Sequence, residues 1–405
     1  MNPTVLYLTH RVPFPPDKGD RIRNWHVLRQ LVRRGSVWLA CLADEPVPPE
    51  TIAELNRVCG RVAIVPVTEG RWLRAGWSVL TGGSISEGAF WERDLMRVVR
   101  AWCGETTFSA AVISASSLAP YLRMRELADV PKIVDLVDVD SQKWSDFADA
   151  ARGPKKWMYR LESHRIRKLE RGLPQWTKAV AMVSRAEAAV FDSFAGAGAA
   201  TVAANGVDLE YFTAPAADAG RLTMATDAGR LACAFVGAMD YLPNVDAAVW
   251  FARDIWPAIH AKFPSAEFRI IGRKPSPEVQ RLANLPGVNL IGQVPDVRPF
   301  VAEATIAVVP LRLARGIQNK VLEAMAMAKP VIAAPPALAA LKAVPGTHLL
   351  SASATDDWVK CVSELFADPT RCRELGAAAR RFVEEHHHWE TCLEPLMERV
   401  FHIDL

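Results

Sequence analysis

A chain of 405 residues is long for one hydrophobic core and favours two domains. Half of its residues are hydrophobic and its net charge is only +3, which gives no general case for nucleic-acid binding. The seven cysteines are scattered without a C-x-x-C pair, so neither a disulfide framework nor a zinc site is indicated. The N-terminus lacks the layout of a signal peptide, and no apolar run approaches the roughly 18 residues of a membrane span. We therefore expect a cytoplasmic protein, either free or peripheral at the inner face of the plasma membrane.

Short apolar runs alternate with segments of helical periodicity along the chain, which predicts βαβ units and parallel sheets. The predicted strands of the first half are 5–8, 37–42, 62–65, 111–113, 133–137 and 180–183. Those of the second half are 232–236, 268–271, 288–291, 306–309 and 331–334. Residues 205–231 are rich in Ala, Gly, Thr and Asp and have no period, which predicts a linker. The expected fold class is α/β, with one domain in 1–206 and another in 207–385.

In the first half, polar residues follow the first predicted strand, at the end where ligands collect in doubly wound folds. The residues of this loop that we place at the ligand cleft are Asp17, Lys18, Gly19, Asp20 and Arg23. His10, at the end of the same strand, is either a polar cleft residue or a structural histidine.

Three acids follow another apolar strand in DLVDVD, residues 135–140. Asp138 is the preferred candidate to orient or deprotonate an acceptor hydroxyl. The alternative is that Asp140 or Ser141 caps the next helix. A D-x-D metal site is disfavoured, because that motif needs a single mixed-sheet domain and this chain predicts two parallel sheets.

Basic residues and tryptophans occur together in 71–80 and 152–171. The second segment holds eight Lys and Arg against Glu162 and Glu170. Such segments suit an anionic membrane surface. The alternative is a solvated helix face that only keeps the domain soluble.

Two glycines follow strands of the second half, where a missing Cβ allows close backbone approach. We expect Gly237 beside a bound ligand, whereas Gly272 either lies near that ligand or only forms a turn. Asn244 is predicted to cap a helix that begins near Val245. The consecutive histidines 386–388 do not share a helix face and predict a surface turn.

The most informative segment is RGIQNKVLEAMAMAKP, residues 315–330. A loop with Arg315, Gly316 and Lys320 leads into a helix expected at 321–327, with Glu323 in its first turn. Basic side chains and backbone N–H groups at a helix start hold phosphate, and an acid beside them suits sugar hydroxyls. The segment therefore predicts a sugar-nucleotide site, although the helix dipole alone also favours an acid in a first turn.

The chain resembles the family 4, group 1 glycosyltransferases of the GT-B fold. Besides 315–330, the segments that carry the resemblance are NGVDLEYF (205–212), FVGAMDYLPNVDA (235–247), FRIIGRKP (268–275) and LIGQVPDV (290–297). LYLTHRVPFPPDKGDRIRN (6–24) and DLVDVDSQKW (135–144) resemble a narrower subgroup, the sugar transferases associated with bacterial PEP-CTERM/exosortase exopolysaccharide systems.

The resemblance implies two Rossmann-like, doubly wound domains with a cleft between them. The N-terminal domain would bind the acceptor and the C-terminal domain the nucleotide sugar, and a last helix in 386–405 would pack back on the first domain. The implied activity is retaining, hexosyl-type transfer from a nucleoside-diphosphate sugar to an acceptor hydroxyl, on a lipid-linked exopolysaccharide intermediate. No metal and no other cofactor is implied.

Candidate site residues follow from the motifs and the resemblance together. Those for donor binding are Gly19, Gly237, Gly272, Arg273, Arg312, Gly316, Lys320 and Glu323. Those for catalysis are Lys320, Arg315 and Asp138.

Two departures from the family pattern leave the source of the positive charge open. Arg315 stands where many relatives carry an acid, and the loop 237–244 has no basic residue where relatives place an Arg and a Lys. The cations that neutralise the leaving diphosphate must then be Lys320 with its arginine neighbours, or Arg273 and Lys274. Two other functions stay open: a catalytically inactive nucleotide-sugar-binding scaffold of polysaccharide assembly, and a sugar-nucleotide epimerase of the same fold.

Overall fold

The computed structural model describes residues 3–17, 19–213 and 231–402, so Lys18 and most of the predicted linker lie outside the described residues. The chain divides into an N-terminal unit, Met1–Ala204 with Leu393–Leu405, and a C-terminal unit, Asn205–Cys392. The division falls two residues before the predicted boundary at 206. None of the helices described is both long and apolar enough to cross a membrane.

The N-terminal unit is built on a seven-stranded parallel sheet in the order β3-β2-β1-β4-β5-β6-β7. Its strands are β1 (Thr4–Thr9), β2 (Ser36–Ala43), β3 (Arg61–Pro66), β4 (Ala110–Ser114), β5 (Lys132–Val137), β6 (Ala179–Met182) and β7 (Ala200–Val202). Its helices are α1 (Gly19–Val32), α2 (Pro49–Val58), α3 (Arg71–Leu80), α4 (Ile85–Ala89), α5 (Arg93–Glu105), α6 (Ala119–Leu122), α7 (Asp140–Ala150), α8 (Pro154–Gly172) and α9 (Arg185–Ala195).

The C-terminal unit contains a six-stranded parallel sheet in the order β10-β9-β8-β11-β12-β13. Its strands are β8 (Ala232–Val236), β9 (Glu267–Ile271), β10 (Val288–Gly292), β11 (Ile306–Val309), β12 (Val331–Ala333) and β13 (Leu350–Ser351). The helices that follow Ala204 are α10 (Leu242–Trp250), α11 (Trp256–Lys262), α12 (Pro277–Gln280), α13 (Arg298–Glu303), α14 (Asn319–Ala326), α15 (Pro335–Leu338), α16 (Thr355–Ala367), α17 (Pro369–His386) and α18 (Trp389–Phe401).

Burial explains why these runs form strands. The central strands β1 and β4 are almost wholly buried, as parallel strands covered on both faces must be. The helix α5 buries one stripe, which consists of Leu95, Val99 and Trp102 at helical spacing. Every predicted strand is confirmed. The edge strands β7 and β13 were missed, because a two- or three-residue strand paired on one side needs no long apolar run.

Each sheet reverses its strand order beside its first strand. In the N-terminal unit the reversal lies between β1 and β4, and in the C-terminal unit between β8 and β11. Ligands of open parallel sheets bind outside the carboxyl ends of the strands at such a reversal. A ligand of the C-terminal unit is therefore expected at the loops after β8 and β11.

The predicted linker is wrong at its beginning. Asn205 is buried and its side chain donates to Asn319 Oδ1 at 3.0 Å, while Val207 N donates to the carbonyl of His387 at 2.8 Å. The predicted surface turn at 386–388 is wrong for His387, which is buried with Nδ1 2.9 Å from the Asn205 carbonyl. Burial lowers the pKa of His387. Composition alone does not reveal this pairing of two distant segments.

The last helix, α18, begins in the C-terminal unit, and its residues from Leu393 onward belong to the N-terminal unit. The apolar residues that predicted it are all buried: Leu393, Leu396, Met397 and Val400. Within the N-terminal unit, Arg34 forms an ion pair with Glu394 at 2.5 Å.

Candidate active site

Two glycines pack against each other after β8 and β9. Gly272 has a φ of +152°, and a Cβ there would lie 1.7 Å from the carbonyl oxygen of Gly237. A Cβ on Gly237 would in turn meet the Asn244 amide at 2.8 Å and Lys320 Nζ at 3.0 Å. Gly272 therefore requires glycine for the packing of the protein itself, and a side chain at Gly237 would displace Asn244 and Lys320. This packing brings Asn244 and Lys320 to the switch point of the sheet.

Asn244 is not the helix cap that the sequence predicts. The helix α10 begins at Leu242 with Tyr241 as its N-cap residue, so Asn244 lies inside its first turn. The Asn244 amide donates to the carbonyl of Ala238 at 2.9 Å, and its Oδ1 accepts from Lys320 at 2.5 Å. Its role is to hold the lysine.

Lys320 is the second residue of α14, and two neighbours contact its ammonium group. Besides the bond to Asn244, Nζ lies 4.8 Å from the centre of the Phe235 ring. Burial lowers the pKa of Lys320 to about 8, although the nearby Glu323 raises it. A cation that has lost much of its water without gaining a full counter-charge is a good ligand for an anion.

Glu323 lies three residues further along α14. The helix starts at Asn319, two residues earlier than predicted, so Glu323 is outside the first turn and the prediction of a first-turn acid is wrong. Burial raises the pKa of Glu323 to about 7, and Lys320 opposes this rise. Its partly buried carboxyl group has no hydrogen-bond partner among the described residues. The helix dipole alone does not account for an acid at this position.

A cavity of the C-terminal unit opens next to this pair. Its lining is otherwise apolar and includes Phe212, Val236, Val297, Val301, Lys320 and Glu323. The strands β8 and β11 contribute residues to its wall, which places the cavity at the reversal of strand order. The apolar lining is the physical cause of both pKa shifts, since it disfavours either charge.

The loop before α14 contains Arg315 and Gly316. Gly316 has a φ of +61°, a left-handed conformation that favours glycine, and Arg315 is partly buried with its carbonyl accepting from Gln318 at 2.7 Å. Gln318 is the N-cap residue of α14, and within the described chain its side chain caps no backbone N–H. The start of α14 therefore presents backbone donors beside Lys320.

The other basic candidates differ in their surroundings. Arg312 is exposed and forms a bidentate ion pair with Asp246, at 2.5 and 3.0 Å, above the ring of Trp250. Arg273 is partly exposed after β9, and Lys274 beside it is exposed with a φ of +50°. The geometry thus places Lys320, and not Arg312 or Arg273, next to Glu323.

In the N-terminal unit, Gly19 is the first residue of α1, and a Cβ there would meet no atom within 4 Å. The following Asp20 lies 2.8 Å from Arg11 and 3.2 Å from His10, and these partners hold the pKa of its carboxyl well below the usual range against its burial. Arg23 differs from the expectation of a cleft residue, because it is fully buried.

Arg23 forms a bidentate pair with Asp135, at 2.7 and 2.9 Å, and both side chains are fully buried. No local pattern in the sequence indicates this pair, because its members lie 112 positions apart. It joins α1 to the end of β5 and so fixes the base of the segment that carries Asp138.

Asp138 follows β5 directly. The preceding Val137 has a φ of +69°, which is strained for a β-branched residue, and the pairing of β5 with β6 shifts register there. Asp138 Oδ1 is buried without a hydrogen-bond partner in the part of the chain that the structure describes. Burial raises the pKa of Asp138 to about 7, with a further rise from Glu187.

The alternative, that Asp140 or Ser141 caps α7, is wrong. The N-cap residue is Val139, whose N–H is satisfied by Glu187 at 2.8 Å, while Asp140 accepts from Ser116 and Ser141 bonds with Glu170. Over the described ranges, no group of three His, Cys, Asp or Glu side chains is arranged to hold a metal ion.

Two parallel Rossmann-like sheets, each with its own strand reversal, are the architecture of the GT-B glycosyltransferases. Residues 230–368 match the family model described as Glycosyl transferases group 1. This part of the chain, which contains Lys320 and Glu323, is thus similar to the group 1 glycosyltransferases.

A curated relative also matches part of the chain. The chain is 32% identical over 139 residues to "Glycosyltransferase 1 domain-containing protein 1" of Xenopus tropicalis, a match that covers 32% of this chain and 40% of the relative. The chain thus spans less than half the length of the curated relative that it matches.

Solved structures match the whole chain. The Anabaena protein HepE, in complex with UDP and glucose, is 14% identical with a TM-score of 0.69 over 98% of both chains. Sucrose-phosphate synthase from Thermosynechococcus elongatus is 16% identical with a TM-score of 0.71 over 98% of this chain and 97% of its own. At these identities the likeness shows the fold.

Proposed function

We propose that the protein transfers a sugar from a nucleoside-diphosphate sugar to an acceptor hydroxyl. The observation that carries the proposal is the Lys320–Glu323 pair on α14, at the strand reversal of a segment that matches the group 1 glycosyltransferases. The likeness to HepE, whose complex contains UDP and glucose, supports a UDP-sugar as the donor.

The donor site would use α14 in two ways. Its free N–H groups and Lys320 would bind the diphosphate, and Glu323 would accept hydrogen bonds from hydroxyls of the nucleotide ribose or the sugar. An incoming diphosphate would raise the pKa of Lys320 from about 8 towards its ordinary value, because it supplies the missing negative charge. As the glycosidic bond breaks, negative charge grows on the diphosphate, so a fixed cation here stabilises the transition state.

Arg315 is proposed as a second catalytic cation, because its side chain belongs to the loop that leads into α14. Arg312 has a smaller role, since a phosphate would have to compete with Asp246 for its guanidinium group. Gly316, with its positive φ, permits the turn into the helix. Gly237 and Gly272 would keep the phosphates close to Lys320 by the packing described above. Arg273 and Gly19 are also proposed to contact the donor, because they lie after the strands β9 and β1.

Asp138 is the proposed acceptor base of the N-terminal unit. A general base works best with a pKa near the working pH, and burial has raised the pKa of this carboxyl group to about 7. Its Oδ1 has no hydrogen-bond partner among the described residues, so no bond within the protein has to break before it accepts the proton of an acceptor hydroxyl. The strained Val137 supports this role, because strain of this kind concentrates at functional sites.

The finer assignments are proposed on sequence resemblance. They are retention of configuration, a hexosyl donor, independence of metal, an acceptor on a lipid-linked exopolysaccharide intermediate, and cytoplasmic action at the inner face of the plasma membrane. Membership of the PEP-CTERM/exosortase-associated subgroup rests on residues 6–24 and 135–144 alone.

The test is a donor screen with the purified full-length protein. UDP-, GDP- and ADP-sugars are incubated with and without a membrane lipid extract, and the released nucleotide and the sugar product are measured. We expect slow UDP release without acceptor and faster release with it. Conversion of the donor to an epimer would identify an epimerase, binding without release under either condition would identify a scaffold, and the absence of binding to every nucleotide sugar would refute the proposal.

A further inference from the structure

Two helices of the N-terminal unit expose an unusual number of large apolar side chains. Seven of the twelve such side chains exposed in the described residues lie on α3 and α8. These residues, which we name the α3–α8 face, are Trp72, Leu73, Trp77 and Leu80 of α3 and Trp157, Met158 and Leu161 of α8. Leu73 and Leu80 are each 82% exposed and Trp157 is 72% exposed, so these are whole side chains in solvent.

The orientation of α3 is fixed by its inner side. Ala75 is its one buried residue, and α4 packs there so closely that a Cβ on Gly88 would lie 2.4 Å from the carbonyl of Arg74. The guanidinium group of Arg74 is bound by Glu92. The apolar residues of α3 are therefore held outward by the packing of its small inner face.

The two helices are connected through α4. Glu162 of α8 is buried and accepts from the backbone N–H groups of Ile85 and Ser86, at 2.6 and 2.8 Å, at the start of α4. Arg165 of α8 donates to the carbonyl of Gly82, just after α3, at 2.6 Å. The positions of the two exposed sets are thus fixed relative to each other.

The outer surface of α8 carries none of the negative charge of this helix. Its two acids, Glu162 and Glu170, are both buried and hydrogen-bonded inside the unit. The basic residues that stay exposed on and beside α8 are Arg152, Lys155, Arg160, Lys168 and Arg171. The outward side of this helix therefore combines aromatic and aliphatic side chains with positive charge alone.

We propose that the α3–α8 face docks on an anionic lipid bilayer. Trp and Leu enter the boundary between headgroups and acyl chains, while Lys and Arg are attracted to anionic headgroups. A second copy of the chain does not fit, because two such faces would bring like charges together. The inference is independent of the reaction and concerns only where the N-terminal unit binds.

The experiment is vesicle flotation of the full-length protein. Vesicles of phosphatidylcholine alone are compared with vesicles of phosphatidylcholine and phosphatidylglycerol in equal parts, at low and high salt. We expect flotation with the anionic vesicles at low salt and a steep loss as salt rises.

Two variants separate the charge from the apolar residues. The charge variant replaces four basic residues by Glu: Arg152, Lys155, Arg160 and Lys168. Arg165 is left unchanged because it donates to the carbonyl of Gly82. The apolar variant is Trp77→Ser, Leu80→Ser and Trp157→Ser. The control reverses four exposed basic residues of the C-terminal unit to Glu: Arg253, Lys262, Lys360 and Arg373.

Loss of one basic contact to an anionic surface lowers partitioning roughly fivefold, so the charge variant should lose more than about a hundredfold. The apolar variant should also detach, and the control should float like the wild type. Circular dichroism and UDP binding, measured on every variant, report the fold independently of the vesicles.

The inference is overturned if the wild type does not float with anionic vesicles, or if either variant floats with them as well as the wild type does. It is also overturned if the wild type is a dimer that the apolar variant converts to a monomer, which would identify a second copy as the occupant. Failure here with intact UDP binding leaves the proposed function standing, whereas failure of donor turnover with intact flotation leaves this inference standing.

Discussion

Glu323 offers the sharpest test of the candidate site, because the structure predicts opposite effects of one substitution on stability and on binding. Glu323→Gln keeps the shape of the side chain and removes its charge. In the protein without donor, that charge is buried beside an apolar cavity and has no hydrogen-bond partner in the described chain. We therefore expect the variant to be the more stable protein and the weaker binder.

The size of the expected difference in the free energy of unfolding follows from the pKa of Glu323. Burial raises the pKa of Glu323 from 4.5 to about 7, which corresponds to about 3 kcal/mol at the standard conversion. The folded protein holds the proton of Glu323 more tightly than the unfolded chain does, and this tighter binding stabilises the fold. The stabilisation is fully present below pH 4.5 and is lost as the pH rises through about 7. The amide of the variant does not titrate. The free energy of unfolding of the variant should therefore exceed that of the wild type by up to about 3 kcal/mol near pH 8, and by far less near pH 5.

The assay is thermal unfolding of both proteins across this pH range. For a unit of this size, each kcal/mol corresponds to about 2–4 °C in the melting temperature. Glu374→Gln, at an exposed position on α17, is the matched control and should leave the pH dependence unchanged. A Glu323→Gln protein that melts at or below the wild-type temperature near pH 8 would refute the reasoning, since the carboxylate would then have stabilising partners.

The affinity for UDP should fall in the same variant. A hydrogen bond to a charged group contributes about 1.5–3 kcal/mol, so UDP affinity should fall by roughly 10- to 150-fold in calorimetric titration near pH 8. Unchanged affinity would remove Glu323 from the donor site.

The remaining predictions concern catalysis. Lys320→Ala should lower kcat more than donor affinity, because the charge on the leaving diphosphate grows in the transition state, while Arg312→Ala should have a smaller effect; the reverse order in steady-state kinetics would move the cation site to Arg312. Asp138→Asn should lower transfer by about 10²- to 10⁴-fold with UDP affinity intact. The wild-type rate should rise with pH through about 7, since a base must first lose its proton, and a flat profile would exclude Asp138 as that base. Transfer should survive EDTA, and a loss that Mn²⁺ restores would point to Asp138 and Asp140 as metal ligands.

Some features of this protein are local in the chain, and the sequence alone predicts them. The buried strands are continuous apolar runs, so their number and order were readable except for the short edges β7 and β13. Lys320 and Glu323 share a helix face because they are three residues apart, so the sequence alone predicts that an acid lies beside a basic residue.

Other features depend on partners that lie far apart in sequence, and only the tertiary structure decides them. Gly272 must lack a Cβ because the carbonyl of Gly237 occupies that space. Asn244 binds Lys320, 76 positions away, instead of capping its own helix. Glu162 looks like a counter-charge on a basic surface helix, yet it turns inward to the start of α4, 76 and 77 positions away. The physical reason is the same in each case: a side chain bonds to whatever donor or acceptor the fold brings within about 3 Å, and spacing along the chain specifies that partner only within a single helix or turn.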